Sequence, residues 1–511
     1  MSDTNLPDLS SPIPLDQLEE GKPFPGTFED ESVVLVRRGD TVSAVSGSCP
    51  HAGADLAAGM VVDGELRCPW HHARFDLDTG AATGGPAVDG LGCFAVEVTG
   101  GTVRVLGHKE VQDVVSLGGR PTTGPRRIGV VGAGAAGYAF VRTLYAEGFE
   151  GTVDVFTDDP DPAYDRTQCS KSYLSGDMER ASCLLPDLES VSDKVTVQRV
   201  AVDALEASSH SLRTVAGETH TFDALVLATG AEPIRPEFDG NQDSHAFVLR
   251  TLADADAIIE AAQHARRAVV LGGSFIGLEV AASLEAQGLE VTIVDQARTP
   301  LAHMLGEAVG KYVQSIHEDQ GEKFRLGRSI VGFDGSRVTL DDDSVLETDL
   351  LVIGAGVKPR TALAKGAGLA LDAADGGVSV DDRLESSVPG IYALGDVASY
   401  PDLRTGRTQR VEHWVHAERQ GEWLARSILG RTEQPFAETP FFWSKHPSAN
   451  IRYVGHATAD AEIHVHGDID SGDFSVEYTE GHQSLAHLSC GRDEEALAME
   501  AQYNAAALPA S

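Results

Sequence analysis

The sequence has little positive charge, few cysteines and no long apolar run. Lys and Arg total 40 against 78 Asp and Glu in 511 residues, a net charge of −38. Such a chain repels phosphate backbones and anionic bilayers, so neither nucleic acid nor a membrane surface is expected as a partner. Nowhere do 18 apolar residues follow one another, and residues 1–26 lack a basic region leading into an apolar core, which argues against a membrane span or export signal. Six cysteines are too few for a disulfide scaffold at this length and fit a reducing compartment, so a cytoplasmic location is expected. The acidic excess reads first as a solubilising surface; it also suits a basic redox partner steered by its field.

What is present is globular and modular. Hydrophobic residues make up 42% and charged residues 23%, far from a disordered composition, and 511 residues exceed one hydrophobic core. Residues 31–106 alternate short β-type runs, such as Ser32-Val33-Val34-Leu35-Val36, with Gly-rich turns, which predicts a small all-β module. A stretch rich in Gly, Pro, Thr and Arg at 117–127 reads as a linker. Two strand, Gly-rich turn, helix, strand units follow at 127–158 and 268–295, predicting an α/β region with two dinucleotide folds. β-type segments at 451–454 and 474–478 predict a small α+β C-terminal domain. The expected division is 10–108 for the β module, 109–125 for the linker, 126–242 with 367–435 for the first dinucleotide domain, 243–366 for the second, and 436–511 for the last.

The β module carries Cys49-Pro50-His51 and, after sixteen intervening residues, Cys68-Pro69-Trp70-His71. Each loop supplies one soft and one borderline ligand, so two thiolates can hold one iron and two imidazoles another, the ligand set of a Rieske 2Fe-2S cluster. A Cys2His2 zinc site is the competing reading, but its usual arrangement pairs cysteine with cysteine and histidine with histidine. His72 is set aside in favour of His71 on spacing. Gly53, Gly59, Gly64 and Gly80 lie where tight loops would turn. The loops CPHAGADLAAG and CPWHHARFDLDTG resemble those of Rieske ferredoxins. They differ from respiratory Rieske proteins, whose extra cysteines and cluster-side serine fall at Ala54, Trp70 and Ala73. Fewer hydrogen bonds to the cluster imply a potential at the low end of the range of about −150 to +300 mV.

In the first dinucleotide unit, residues 128–131 lead into Gly132-Ala133-Gly134-Ala135-Ala136-Gly137, where a pyrophosphate can approach a helix N-terminus. The next strand ends at Asp158, a candidate for the adenosine ribose. The second unit reads Gly272-Gly273-Ser274-Phe275-Ile276-Gly277-Leu278-Glu279, with Ser274 at the middle glycine position. Its strand ends at Asp295, which favours the free 2′-hydroxyl of NADH over the phosphate of NADPH, although Arg298 stands nearby. Strand ends turning on Gly230 and Gly356, and Gly395-Asp396 with an Asp suited to a ribityl hydroxyl, complete the pattern. No C-x4-C redox pair is present, which disfavours a disulfide reductase.

Taken with Tyr164-Asp165-Arg166, Ser170-Lys171, Glu412-His413-Trp414 and Phe442-Trp443-Ser444, these motifs resemble ferredoxin reductases and the Rieske-containing apoptosis-inducing-factor-like oxidoreductases. The resemblance covers most of the chain and implies FAD contacts from Arg166, Lys171, Asp396 and Trp414, with Glu279 beside the nicotinamide. Cys169, where the family has an apolar residue, reads as a buried thiol. Lys171 and Glu279 form the expected catalytic ion pair, an exposed surface pair being the alternative. The resulting expectation is an NAD(P)H-dependent oxidoreductase that passes electrons from NADH through FAD and the cluster to an unidentified one-electron acceptor protein, such as an oxygenase component. The rival is a redox-responsive signalling flavoprotein whose NADH-bound state changes its conformation or association, and a homodimer is compatible with either.

Overall fold

A computed structural model of the protein describes residues 6–109 and 124–508. Most of the expected linker therefore lies outside the described residues.

The N-terminal domain is all β. Its larger sheet runs Ile13–Pro14, Thr102–His108, Cys93–Thr99, Thr41–Ser46, Glu31–Arg38 and Pro23–Phe28, antiparallel throughout. The apolar run Val33-Val34-Leu35-Val36 is wholly buried because its strand lies between two layers. Val33 and Leu35 pack with Phe28 and Val105, whereas Val34 and Val36 face Cys49, Leu66 and Phe75. A strand covered on both faces reads as a continuous apolar run instead of alternating. The second sheet, Met60–Val62, Glu65–Arg67, Arg74–Asp76 and Ala82–Gly84, carries the second Cys/His loop. Gly53, Gly64 and Gly80 take positive φ as the turns require. Gly59 does not, and is needed for space: a Cβ there would lie 2.4 Å from the Arg67 carbonyl.

Two parallel five-stranded sheets follow. The first is ordered Val195–Gln198, Thr152–Phe156, Arg127–Val131, Ala224–Leu227 and Ile391–Ala393. The second is ordered Ala246–Val248, Leu350–Ile353, Arg267–Leu271, Glu290–Asp295 and Lys323–Leu326. In each, the central strand enters a Gly-rich turn and a helix: α1 (Ala135–Ala146) in the first, α2 (Phe275–Ala286) in the second. Helix α3 (Trp414–Ile428) packs along α1, so closely that a Cβ on Gly421 would lie 2.3 Å from the Ala136 carbonyl. The C-terminal domain is an antiparallel sheet, Phe441–Lys445, Asn450–Gly455, Gln483–Cys490, Asp473–Glu480 and Glu462–Asp468, crossed by α4 (Asp493–Ala507). Among the described residues no helix is long and apolar enough to cross a membrane.

The β domain is seated on the remainder through buried charge. Glu500 of α4 is 0% exposed and accepts from His72, from Arg74 at 3.1 Å and, as an ion pair at 3.1 Å, from Arg419 of α3. Arg74 also forks onto Glu438 at 2.8 and 2.6 Å. Arg452 donates to the Pro69 carbonyl at 3.1 Å, and Glu422 accepts from the Gly85 amide at 2.9 Å. His72 stacks on Phe441 with ring centroids 3.7 Å apart, which turns it away from the other loop histidine.

Candidate flavin, nicotinamide and iron–sulfur sites

The turn after the first central strand is shaped by contacts that side chains would block. A Cβ at Gly132 would lie 2.1 Å from the Ala228 carbonyl, and one at Gly137 2.1 Å from that of Gly132. Gly134, by contrast, faces open space, with only Arg166 within 4.0 Å of such an atom. The loop is thus tight on its inner side and open where a pyrophosphate would approach the α1 N-terminus. The second loop repeats the plan: a Cβ at Gly277 would lie 2.0 Å from the Gly272 carbonyl. Ser274 turns its Oγ inward, donating to the Gly354 carbonyl at 3.0 Å and accepting from the Gly277 amide at 3.3 Å. The hydroxyl thereby caps α2 and keeps clear of the loop's outer face.

One cavity of about 560 Å3 joins most of the expected residues. Gly132, Ala133, Gly134 and Ala136 line it, together with Asp158, Arg166, Lys171, Asp396 and Trp414. Phe275, Ile276 and Glu279 reach it from α2. Gly137 lies behind the turn, and Gly272, Ser274, Gly277, Asp295 and Gly356 lie outside this cavity, at the ends of the second sheet. Asp158 holds Arg360 at 2.6 Å, which lowers its pKa. Asp396 accepts from Arg250 at 2.6 Å. Asp295 accepts from the backbone amides of Gly273 and Ala297, tying the end of its strand to the glycine loop.

Lys171 and Glu279 are 2.8 Å apart with side chains 13% and 5% exposed, so the surface-pair alternative is wrong: packing of the C-terminal sheet over α2 covers them. Ser170 donates to one oxygen of Glu279 at 2.7 Å and Ser444 to the other at 2.9 Å. His413 also lines the cavity; burial drives its pKa down to about 3, and its Nδ1 has no hydrogen-bond partner. This neutral, unsatisfied nitrogen, with the open glycine loop, fits a polar ligand filling the cavity. Sequence reasoning missed Arg250, Arg360 and His413. The two arginines stand on short segments without periodicity, and His413 is visible in the sequence only as the middle of Glu412-His413-Trp414.

The two Cys/His loops bring like donors together. Cys68 hydrogen-bonds the Cys49 thiol, which with the backbone amides of His51 and Ala52 pulls the pKa of Cys49 down to about 6 against burial. The Nδ1 atoms of His51 and His71 face each other at 3.0 Å. Two sulfurs on one side and two ring nitrogens on the other fit a cluster with two thiolates on one iron and two imidazoles on the second. Among the described residues no three His, Cys, Asp or Glu side chains gather as a single-ion site would need. The imidazoles face the reductase half: the Trp443 ring lies 4.1 Å from that of His71 and 6.3 Å from that of His51. Trp443 also lines the nucleotide cavity, where Lys171 Nζ sits 5.9 Å from its ring centre.

Two nucleotide cradles opening towards a shared ion pair are what hydride exchange between a nicotinamide and a flavin needs; the class so defined is the FAD-dependent NAD(P)H oxidoreductases, here with an iron–sulfur domain of its own. Residues 126–421 match the pyridine nucleotide-disulphide oxidoreductase family, to which the chain belongs, and residues 13–95 match the Rieske [2Fe-2S] domain. The chain is similar to human apoptosis-inducing factor 3, 29% identical over 90% of this chain and 78% of that protein. It is 32% identical to rhodocoxin reductase of Rhodococcus erythropolis over 68% of this chain and 82% of the relative. Among solved structures, the covalent putidaredoxin reductase–putidaredoxin complex superposes with a TM-score of 0.71 at 27% identity, covering 75% of this chain and 94% of that one. The enzyme is therefore a ferredoxin-reductase-like flavoprotein oxidoreductase carrying a Rieske domain.

Proposed function

We propose that the enzyme takes electrons from NADH and delivers them singly to an acceptor, the bound FAD supplying hydride acceptance and the bound 2Fe-2S cluster one-electron transfer. Gly132, Ala133, Gly134, Ala136 and Gly137 cradle the FAD pyrophosphate at the start of α1, and Asp158 with Arg360 borders the adenosine end. Arg166, Trp414 and Asp396 hold the remainder of the cofactor. Gly272, Ser274 and Gly277 form the nicotinamide nucleotide cradle, with Phe275 and Ile276 at its cavity end and Gly356 at the adjoining strand end. Asp295 selects the free ribose hydroxyl of NADH. Lys171 and Glu279 orient the reacting rings, and the two serine hydroxyls hold the Glu279 carboxylate in place while it does so.

Cys49, Cys68, His51 and His71 are the cluster ligands in this reading. The observation that carries it is the position of Trp443, in ring contact with His71 on one side and bordering the nucleotide cavity on the other. Trp443 gives the two centres a packed route within one chain. The test is an anaerobic NADH titration that follows flavin absorbance together with the low-temperature electron paramagnetic resonance of the cluster. The reduced-cluster signal is expected to rise as the flavin bleaches. A bleached flavin beside an intact, still oxidised cluster would refute the relay.

A further inference from the structure

The two loop histidines of the β domain meet different neighbours across the domain boundary. His71 lies against Trp443, with the cations Arg452 and Lys171 in its surroundings. His51 meets a carboxylate instead: its Nε2 stands 4.0 Å from Oδ2 of Asp165, a residue of the reductase half, and the two side chains are 14% and 16% exposed. The Nδ1 of the same ring faces the Nδ1 of His71 at 3.0 Å. One nitrogen of His51 is thus turned to its companion ligand and the other to Asp165.

Capping a helical turn accounts for only one oxygen of Asp165. Oδ1 accepts from the Thr167 amide at 2.9 Å and from the Thr167 hydroxyl at 2.7 Å, which caps the short turn Arg166–Ser170. Oδ2 takes no part in that cap: Gln168 Nε2 donates to it at 3.0 Å, and it is this oxygen that faces His51. The Asp165 amide is itself tied to the Cys183 carbonyl at 2.8 Å. All of these partners belong to the reductase, so the carboxylate is fixed at both oxygens without help from the β domain. It also adjoins the nucleotide cavity, since the next residue, Arg166, lines it.

We infer that Asp165 is a positioning residue for the iron–sulfur cluster: it holds the outer nitrogen of His51, which leaves Nδ1 as the liganding atom, and its charge lowers the reduction potential of the cluster. The inference rests on the reading of His51 as a cluster ligand. A metal-bound imidazole commonly turns its second N–H to a carboxylate, which fixes the ring and makes it a better donor to the metal. Reduction adds one negative charge to the cluster, and an anion beside a ligand ring in a largely buried contact opposes that addition. The cluster is thereby a stronger one-electron donor. Because the ligand comes from the β domain and the carboxylate from the reductase, this potential depends on the two being seated together.

The test is a mediated redox titration of the full-length holoenzyme, with dithionite as reductant and the cluster followed by low-temperature electron paramagnetic resonance, so the result does not depend on electron transfer from NADH. Asp165→Asn keeps the shape and a good cap while removing the charge. It is expected to raise the midpoint potential of the cluster by about 59 mV, a tenfold change in a one-electron equilibrium, and to shift the g-values of the reduced cluster. Asp165→Ala should move the potential in the same direction and, through the lost cap, lower the melting temperature as well. A full-intensity cluster signal with unchanged potential and g-values in Asp165→Asn would make Asp165 a helix cap alone and overturn the inference while leaving the ligand reading intact. Unaltered protein that shows no Rieske signal after chemical reduction would overturn both.

Discussion

At the scale of single residues the chemistry hangs on charges held in place by neutral donors. Glu279 has a cation on one side and a hydroxyl on each oxygen, so replacing it with Gln removes charge while keeping a similar shape. Glu279→Gln is expected to slow flavin reduction by NADH about tenfold, or about 1.4 kcal/mol in the barrier, in stopped-flow absorbance. An unchanged rate would make the ion pair merely structural. Asp295 already spends both oxygens on the amides of Gly273 and Ala297, which fixes its carboxylate where the ribose would lie. Asp295→Ala removes the negative charge while Arg298 stays, and should move the kcat/KM ratio roughly tenfold towards NADPH. Trp443→Ala should delay the cluster signal relative to flavin bleaching; simultaneous appearance of both would remove it from the route.

At the scale of elements, the two glycine turns show which glycines make space for a ligand and which for the protein itself. A Cβ at Gly137 or Gly277 would lie 2.1 or 2.0 Å from a backbone carbonyl, so a methyl group there must push the helix off its strand. Gly137→Ala should lower stability by about 1–3 kcal/mol and reduce the FAD content of the purified protein, read from its absorbance. Gly277→Ala should leave FAD content intact and raise the KM for the nicotinamide nucleotide. The motif pattern treats all these glycines alike. Ser274 shows why: its hydroxyl finds an internal partner, so a residue that interrupts the pattern leaves the turn intact.

At the scale of the whole molecule, the seating of the β domain rests on buried charge. Glu500 is surrounded by guanidinium groups and His72 in a site without water access, so Glu500→Ala leaves buried cations uncompensated. That is expected to cost about 3–5 kcal/mol and to release the β domain, seen as a lower melting temperature and a larger radius of gyration in small-angle scattering. The interface also has a pH signature. Burial opposes ionisation of Glu438, but Arg74 and Arg419 hold its pKa down at about 2, against about 4.3 for an unfolded glutamate. Its contribution is therefore fully present above about pH 4.3 and is lost as pH falls towards 2, so Glu438→Gln should flatten the fall in melting temperature across that window.

Residue types and spacing in the chain were enough to specify the modular order, the two glycine turns and the mixed Cys/His loops, because each depends on local backbone needs or on a ligand set written in short segments; the Lys171–Glu279 pair, 108 residues apart, was implied by the family resemblance and joined only by the tertiary structure. Strand ends at Phe156 and Asp295 were legible for the same reason, since parallel strands buried on both faces announce themselves as apolar runs. Other features came only with the tertiary structure: His71 against Trp443, Arg360 on Asp158, Arg250 on Asp396, and Glu418 beneath Gly85. The partners in these contacts are separated by more than 100 residues, and no periodicity links them. Sequence alone also left open how the β domain is joined to the reductase. The buried network around Glu500 does this, because three segments distant in sequence must pack together before their charges can be taken out of water.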